Sequence, residues 1–293
     1  EMVATRTTSE TSVEELAELM VGRRVLLSVE KGPANPGDVM LSVRNLTVKD
    51  SRGVPMVKDV SLDVRAGEIV GVAGVAGNGQ SELLQAIAGI RRAETGDVKL
   101  NGKPIDVTGT ADPNELRHRG LAHVPEDRHH MGLVLKFEEA ENSILGYHDD
   151  PRYLKSFFLD VDAIRADAAE KCERYDIRPP DVRLKTANFS GGNQQKIVLA
   201  REMERDPDVI IIGQPTRGVD VGAIEFIHKR IIEMRDAGKA ILLVSVELDE
   251  IRSLSDRVLV MFDGHVVGER SPETGEGELG LLMAGVTDQE AAE

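Results

Sequence analysis

Hydrophobic and polar positions alternate in the first third of the chain and then stop alternating. Leu41, Val43 and Leu46 within Met40 to Thr47, and Val60, Leu62 and Val64 within Met56 to Val64, give the period of strands with one buried face. The runs ending Ile69-Val70-Gly71-Val72-Ala73, Val209-Ile210-Ile211-Ile212 and Ile241-Leu242-Leu243-Val244 are apolar throughout, as suits a parallel sheet covered on both faces. Helical spacing appears between them. Leu83, Leu84 and Ile87 follow the first apolar run, and Ile224, Ile227, Ile231 and Met234 mark a core-facing stripe within Gly222 to Ala237. Helix patterns also cover Val161 to Tyr175 and Gln194 to Met203. Asp97 to Gly102 reads as a strand running into a turn, and Val258 to Phe262, Asp263-Gly264 and His265 to Val267 as a closing hairpin. The pattern predicts an α/β core with an antiparallel β edge and a helical insertion, the insertion at about 112–186.

Composition narrows the class. The 293 residues carry a net charge of −15, no Trp and three Tyr. Such a chain lacks the basic face of a duplex binder and the aromatic platforms on which bases stack, so no nucleic-acid partner is expected. One cysteine, Cys172, forms no internal disulfide and reads as a small residue on a helix. No uninterrupted apolar run is long enough to span a membrane, and the first residues lack the features of a signal peptide.

The chain also repeats its own tail. Glu15-Leu16-Ala17-Glu18-Leu19-Met20-Val21-Gly22 and Glu278-Leu279-Gly280-Leu281-Leu282-Met283-Ala284-Gly285 share Glu, Leu, Leu, Met and Gly at matching places, and both read as short helices ended by glycine. Ser12 and Glu15 form a capping box for the first. Two Leu-rich helices can match by chance. Alternatively, 1–37 is the end of a preceding copy plus a linker, 38–285 is one complete domain, and 286–293 is a tail.

The first apolar run leads into Gly74-Val75-Ala76-Gly77-Asn78-Gly79-Gln80-Ser81-Glu82, which has the spacing of a phosphate-binding loop between strand and helix. In such a loop the backbone N–H groups wrap phosphates and the helix N-terminus adds partial positive charge. Gln80 stands where the loop needs a lysine. On spacing alone this is equally a tight turn. Distant motifs decide. Phe189-Ser190-Gly191-Gly192-Asn193-Gln194-Gln195-Lys196, then an apolar strand, then Gln214-Pro215-Thr216-Arg217-Gly218-Val219-Asp220 resemble, in that order, the signature and following loops of ATP-binding cassette (ABC) proteins. The forms of both motifs look most like the two-cassette ATPase subunits of sugar and nucleoside importers. Gly213-Gln214-Pro215-Thr216 with Val221 to Glu225 is further similar to the nucleoside-importer branch.

The resemblance implies a P-loop NTPase cassette: a mostly parallel sheet flanked by helices, an antiparallel β subdomain and a helical subdomain. It implies ATP or ADP, with Mg²⁺ weak or absent, at Gly74, Gly77, Asn78, Gly79, Gln80, Ser81, Glu82 and Glu126. Ser81 and Glu126 would be the metal ligands. It implies a signature, Ser190, Gly191, Gly192, Asn193 and Gln194, offered to a facing cassette, with Asp220 at the seam between the two. The implied partners are an N-terminal cassette of the same full-length chain, transmembrane permease subunits and, indirectly, an extracytoplasmic solute-binding lipoprotein. The implied place is the cytoplasmic face of the cell membrane, held peripherally.

Departures from the family pattern qualify that reading. Gly213-Gln214 replaces the Asp-Glu pair that ends the Walker B strand, Val246 replaces the switch histidine, and the aromatic that stacks on adenine is absent near Asp50 to Arg52. No intact catalytic set is therefore expected in this chain. The alternative is a cassette ATPase acting outside transport, in translation or DNA maintenance. Other residues have plain readings: His129-His130 as a solvated loop, Glu138, Glu139 and Glu141 as a solvent face, and Asp149-Asp150 as caps. Leu133, Val134, Leu135 and Phe137 suit either local core or contact with a permease helix.

Overall fold

The computed structural model describes residues 29–286 together with Ala4, Thr5, Thr7, Thr11, Ser12, Glu15 and Leu19. Strands β1 (Val39–Lys49) and β2 (Pro55–Arg65) pair antiparallel, with Val43 opposite Leu62 and Leu46 opposite Val60. The spacing 41, 43, 46 breaks strict alternation because the ladder bulges there. Asn45 and Asp59 both take positive φ (50° and 58°), and Asn45 Nδ2 donates to Asp59 Oδ1 at 2.8 Å. The bulge shifts the phase, so Leu41, Val43, Leu46 and Val48 all reach the core.

Strand β3 (Glu68–Ala73) is buried along its whole length and runs into the glycine loop, from which helix α1 (Gln80–Ile87) leaves. Strand β4 (Thr95–Leu100) returns to pair with β1, and β5 (Lys103–Ile105) folds back across a turn at Asn101 and Gly102. Both turn residues have positive φ, as a two-residue hairpin turn requires. The first sheet thus has the order β2-β1-β4-β5.

Helix α2 (Pro113–His118), capped by the Asp112 side chain, precedes β6 (Leu121–Val124). Within the stretch expected to be helical, β6 instead forms the edge of the main sheet. A π-helical turn follows (Arg128–Gly132), then α3 (Glu139–Asn142), a short hairpin of β7 (Leu154–Lys155) and β8 (Phe158–Leu159), and α4 (Val161–Arg174). Helix α5 (Gly191–Met203), β9 (Val209–Gly213), α6 (Val221–Asp236), β10 (Ala240–Ser245), α7 (Leu248–Leu254), β11 (Arg257–Phe262), β12 (His265–Arg270) and α8 (Glu276–Met283) complete the described chain.

The main sheet has the order β12-β11-β3-β10-β9-β6, parallel except for β12. One face packs on α1 and the antiparallel sheet through Val70, Val72, Leu242, Leu83 and Ile87. The other packs on α5, α6, α7 and α8 through Ile69, Ile241, Ile197, Ile227, Ile251 and Leu279. Covering both faces explains the uninterrupted apolar runs of the central strands. Among the described residues no helix is long and apolar enough to cross a membrane.

Residues 29–36, expected to be a linker, lie back against this domain. Lys31 Nζ pairs with Asp256 at 3.4 Å, and Arg235 Nη2 donates to the Gly32 carbonyl at 3.0 Å. The early copy of the repeated tail lies outside the described residues apart from Glu15 and Leu19. Of its cap, Ser12 Oγ accepts from the Glu15 N–H at 3.2 Å. The later copy is α8, ended by Gly285 at φ 88°.

Candidate functional site

Strand β3 delivers the glycine loop to the C-terminal edge of the parallel strands, where open α/β sheets place their ligands. Gly79 caps α1 at φ 99°, and a Cβ there would lie 2.0 Å from the Met56 carbonyl, so no other residue fits. No side chain caps α1. Its first N–H groups are left for an outside acceptor, and the helix dipole adds to their pull on an anion. The Gln80 side chain turns inward, its Nε2 donating to the Val75 carbonyl at 3.2 Å. The amide thus braces the loop and brings no charge to it.

Glu126, just beyond β6, reaches the other side of the loop and accepts a short hydrogen bond from Ser81 Oγ. Burial pushes its carboxyl above the ordinary carboxylate range. The Ser81 bond opposes that shift, Glu82 adds to it and Arg217 opposes it. Its neighbour across the sheet is Gly213, at the end of β9. A Cβ on Gly213 would sit 2.4 Å from Glu126 Cγ and 3.0 Å from Leu84 Cδ1. The Glu126 stem therefore fills the space that a side chain at 213 would need. Next along, Gln214 holds φ 48°, a region that few non-glycine residues adopt. Its Oε1 accepts from the Val246 N–H at 3.3 Å, which ties the 214 and 246 positions together.

Gly77, Gln80, Ser81, Glu126, Gln214 and Val246 line one cleft of about 280 Å³. Arg217 lines it too and is its one cationic side chain among the described residues. A larger cleft of about 850 Å³ adjoins it and shares Gln214, Arg217 and Val246.

The signature residues stand elsewhere. Ser190 caps α5, its Oγ accepting from the Asn193 side chain at 2.9 Å and backbone N–H at 3.4 Å. Gly192 and Asn193 share a separate cleft of about 320 Å³ with Asp220. Asp220 caps α6, accepting from the Ala223 N–H at 2.9 Å. The two glycines have a reason visible within the chain. A Cβ on Gly191 would lie 2.8 Å from Arg128 Nη2 and from the Gly218 carbonyl, and one on Gly192 2.7 Å from Asp220 Oδ2. Close packing against the neighbouring loop forbids side chains here, whatever a phosphate also requires. Gln194 is buried and turns away from that cleft, Nε2 donating to the Thr186 carbonyl at 3.0 Å.

Comparison with known proteins agrees with this architecture. A family model described as ABC transporter matches residues 57–217. The chain belongs to the ABC transporter family. It is 49% identical over 283 residues to the guanosine import ATP-binding protein NupO of Bacillus subtilis (strain 168), an alignment covering 96% of this chain and 55% of that protein. It is 51% identical over 273 residues to the nucleoside import ATP-binding protein NupA of Lactococcus lactis subsp. cremoris (strain MG1363), covering 93% and 53%. The chain spans about half the length of the curated relatives it matches. The fold is that of a dimeric ATP-binding cassette solved in a post-hydrolysis state with ADP and Pi, at TM-score 0.68 and 23% identity over 80% of this chain and all of that one. The expected cassette fold is borne out.

Several side readings change within this ABC cassette. Glu139 is fully buried, whereas a solvent face was expected. Its Oε1 accepts from Ser143 Oγ at 2.5 Å, and burial pushes the carboxyl up to about 7. Glu138 and Glu141 form the capping box of α3. His129 is tied rather than free, its Nε2 lying 2.7 Å from Gln194 Oε1. Asp150 caps the turn at Pro151–Tyr153 as expected, and Asp149 meets His118 Nε2 at 3.0 Å. Cys172 is buried, its thiol pushed up to about 12 by that burial, so it is inert. Leu133 is core, while Val134 and Phe137 are exposed, and Phe137 lines an apolar groove of about 460 Å³ with Ile144, Leu145, Leu159 and Ile164.

Arg217 and Arg128 were not singled out by the sequence. The arginine of Pro-Thr-Arg-Gly could have been, since a cation beside a phosphate loop lacking lysine has an obvious use. Nothing in the local pattern pointed to Arg128.

Proposed function

We propose that this chain is the second cassette of a two-cassette ATPase subunit that energises uptake of nucleosides or, as the runner-up solute class, sugars. It lends its signature to the ATP site of the other cassette and keeps a nucleotide pocket of its own that turns over little or nothing. The carrying observation is the contrast between two clefts. The signature cleft keeps the Ser190 cap, both close-packed glycines and Asp220. The phosphate-loop cleft keeps its backbone donors and Ser81, with Gln80, Gly213, Gln214 and Val246 at the working positions. Losing a general base costs about 10²–10⁴ in rate. Losing one cation or donor aimed at the transition state costs about 10²–10³. The two are not additive, and their joint loss makes turnover at this site low.

ATP or ADP suits the loop, whose backbone N–H groups would donate to phosphate oxygens, and Arg217 supplies a charge that Gln80 does not. Ser81 and Glu126 are the residues that would hold magnesium. Mg²⁺ asks for six oxygens, so phosphates and waters would supply the rest of its shell. When bound, the cation would neutralise phosphate charge. The Arg52 guanidinium, exposed on its turn, is the remaining surface for adenine.

The nucleoside reading draws on the names of the two relatives above. The two-cassette reading draws on the repeated tail and on the half-length match. It makes 1–37 the end of the first cassette plus linker, 38–285 this one, with its helical arm at about 112–186, and 286–293 a tail. Permease subunits would meet the groove beside Phe137, with a solute-binding lipoprotein acting on them from outside, and the assembly would sit on the cytoplasmic face of the membrane. Cassette work outside transport is disfavoured by the charge of −15 and the lack of aromatic platforms.

Uptake by the full-length subunit with its membrane partners tests this. Ser190→Ala or Gly191→Val should lower ATP-driven uptake about 10²-fold or more, the scale of one lost transition-state donor. Ser81→Ala should do far less. Equal tolerance of the two changes would contradict the scheme.

A further inference from the structure

We propose that residues 29–37 are a docked strap, keyed by Lys31, that clamps the C-terminal ends of α6 and α7, and that the chain before it bears on this cassette through that clamp. The second half rests on reading the preceding chain as the end of another cassette. Contacts run along the whole segment. Val29 packs on the core face formed by α6 and α7. Lys31 reaches the end of α7, where its Nζ donates to the Leu254 carbonyl at 3.1 Å and, in a short hydrogen bond, to the Ser255 carbonyl. A cation is favoured there, because the last carbonyls of a helix lack intrahelical partners and carry the negative end of its dipole. The Gly32 carbonyl accepts from Nη2 of Arg235, on the last turn of α6, at 3.0 Å. Asp256 joins the two cations: its Oδ1 lies 3.4 Å from Lys31 Nζ and 2.8 Å from Arg235 Nη1, while its Oδ2 accepts from the Ile69 N–H of β3 at 2.9 Å. The Gly37 N–H ends the segment on the Ala66 carbonyl at 2.8 Å.

The composition of Gly32-Pro33-Ala34-Asn35-Pro36-Gly37 is that of a free connector. The domain nevertheless carries a seat for it. Arg235 is fully buried, which an arginine tolerates only when its donors are paired, and one of them goes to the strap. Gly67 lies beneath the segment at φ 69°, and a Cβ there would stand 2.7 Å from the Asn35 carbonyl. A side chain at 67 would lift the strap from its place.

Helix α7 is a short rod between the strap and the candidate site. It begins two residues beyond Val246, and its Glu250 Oε1 accepts from Thr216 Oγ1 at 2.8 Å and lies 2.9 Å from His228 Nε2 on α6. Thr216 stands beside Arg217, which lines the phosphate-loop cleft. The two helices are thus tied by Glu250 near the cleft and by the strap at their far ends. Docked and lifted straps are two arrangements with different contacts at the end of α7. A pull from the preceding chain that favours the lifted one reaches the turn at Val246 and Glu247 through the rod.

Hydrogen exchange of the 293-residue chain, beside ATP-driven uptake by the full-length subunit with its membrane partners, tests this. Lys31→Met keeps the stem and removes the charge. It should speed exchange across 230–237 and 250–256 about tenfold, the scale of one cation lost from a partly buried helix C-terminus, and leave 190–199 within about twofold. Lys31→Arg, which keeps a cation for the same carbonyls, should retain most of the protection. Uptake should fall about fivefold or more in Lys31→Met and recover in Lys31→Arg. Unchanged exchange at 250–256 in Lys31→Met, or a rise spread evenly over the domain, would overturn the clamp. Loosened helix ends with undiminished uptake would overturn the action of the preceding chain. Neither result touches the two-cassette reading, which falls instead if Ser190→Ala and Ser81→Ala are equally tolerated.

Discussion

The phosphate-loop side of this cassette buries mainly apolar groups, whereas the signature side buries polar and charged groups as well. The loop grows out of a strand buried between two others, and α1 behind it contributes Leu83, Leu84 and Ile87 to an apolar core. The signature heads a helix that buries Gln194, Gln195, Lys196, Arg201 and Glu202 beside its apolar Ile197, Val198 and Leu199. Apolar packing of the first kind is indifferent to what chemistry the loop retains. Gln80 satisfies a loop carbonyl and Glu126 fills the volume beside Gly213, so the packing accommodates a neutral amide at 80 and a glycine at 213. Buried charge of the second kind tolerates no such drift. Gln194, Lys196, Arg201 and Glu202 are each held by specific partners, and those partners fix the rotation and height of α5, and hence where Ser190 and the glycines point.

Glu202 should expose this difference most sharply. It is fully buried, accepts from the Tyr147 hydroxyl at 2.8 Å, and pairs with Arg201 Nε at 2.8 Å. Burial opposes its ionisation, but the Arg201 and Arg117 guanidinia and the Tyr147 hydroxyl outweigh that and hold the carboxyl below its ordinary value. Arg201 in turn donates to the Gly132 carbonyl at 2.7 Å, linking α5 to the π-helical turn. Glu202→Ala strands the buried Arg201 and should cost about 3–5 kcal/mol in urea unfolding. A loss under about 1 kcal/mol would mean that the network does not carry the helix.

A second test falls on the same side. Glu139 sits behind the signature helix with Ser143, Lys171, Cys172 and Asp167 around it, and Lys171 donates to the Ser143 carbonyl at 3.0 Å. Its carboxyl is raised from 4.5 to about 7. In the fold it therefore keeps its proton while the unfolded chain has already lost it. The stability it contributes is complete below about 4.5 and is lost as pH rises through 7, by about 3 kcal/mol in all. Glu139→Gln should flatten that part of the profile, read as the difference between variant and wild type at pH 4.5, 6 and 8. Parallel profiles would show that Glu139 is ionised throughout.

The sequence made the sheet legible and the site only half so. Central strands announced themselves because burial on both faces leaves no polar position, and the signature and phosphate loop because their glycines are spaced by backbone geometry. Strand β6 was hidden in a stretch read as helical, since four residues give too short a period to separate it from its charged surroundings. Glu139 was misread because a run of three glutamates looks solvated, and only the tertiary fold decides which of them turns inward. Arg128 escaped for the same reason. Its acceptors are main-chain carbonyls far along the chain, and no side-chain pattern encodes them.

The smallest effect probes the phosphate-loop side. If the Glu126 stem occupies the space at Gly213, then Gly213→Ala places a methyl 2.4 Å from Glu126 Cγ, and overpacking of this kind costs about 1–3 kcal/mol. Backbone strain plays no part, since Gly213 does not have a positive φ. Glu126→Ala alone removes the stem and the bond to Ser81. In that background the added methyl meets mainly Leu84 Cδ1 at 3.0 Å and the Glu126 backbone N at 3.1 Å, so its cost should fall by at least about 0.5 kcal/mol, the coupling expected of residues in contact. A double-mutant cycle in urea reads this directly. Equal costs in the two backgrounds would mean that the Glu126 stem swings aside and does not fill the space beside 213.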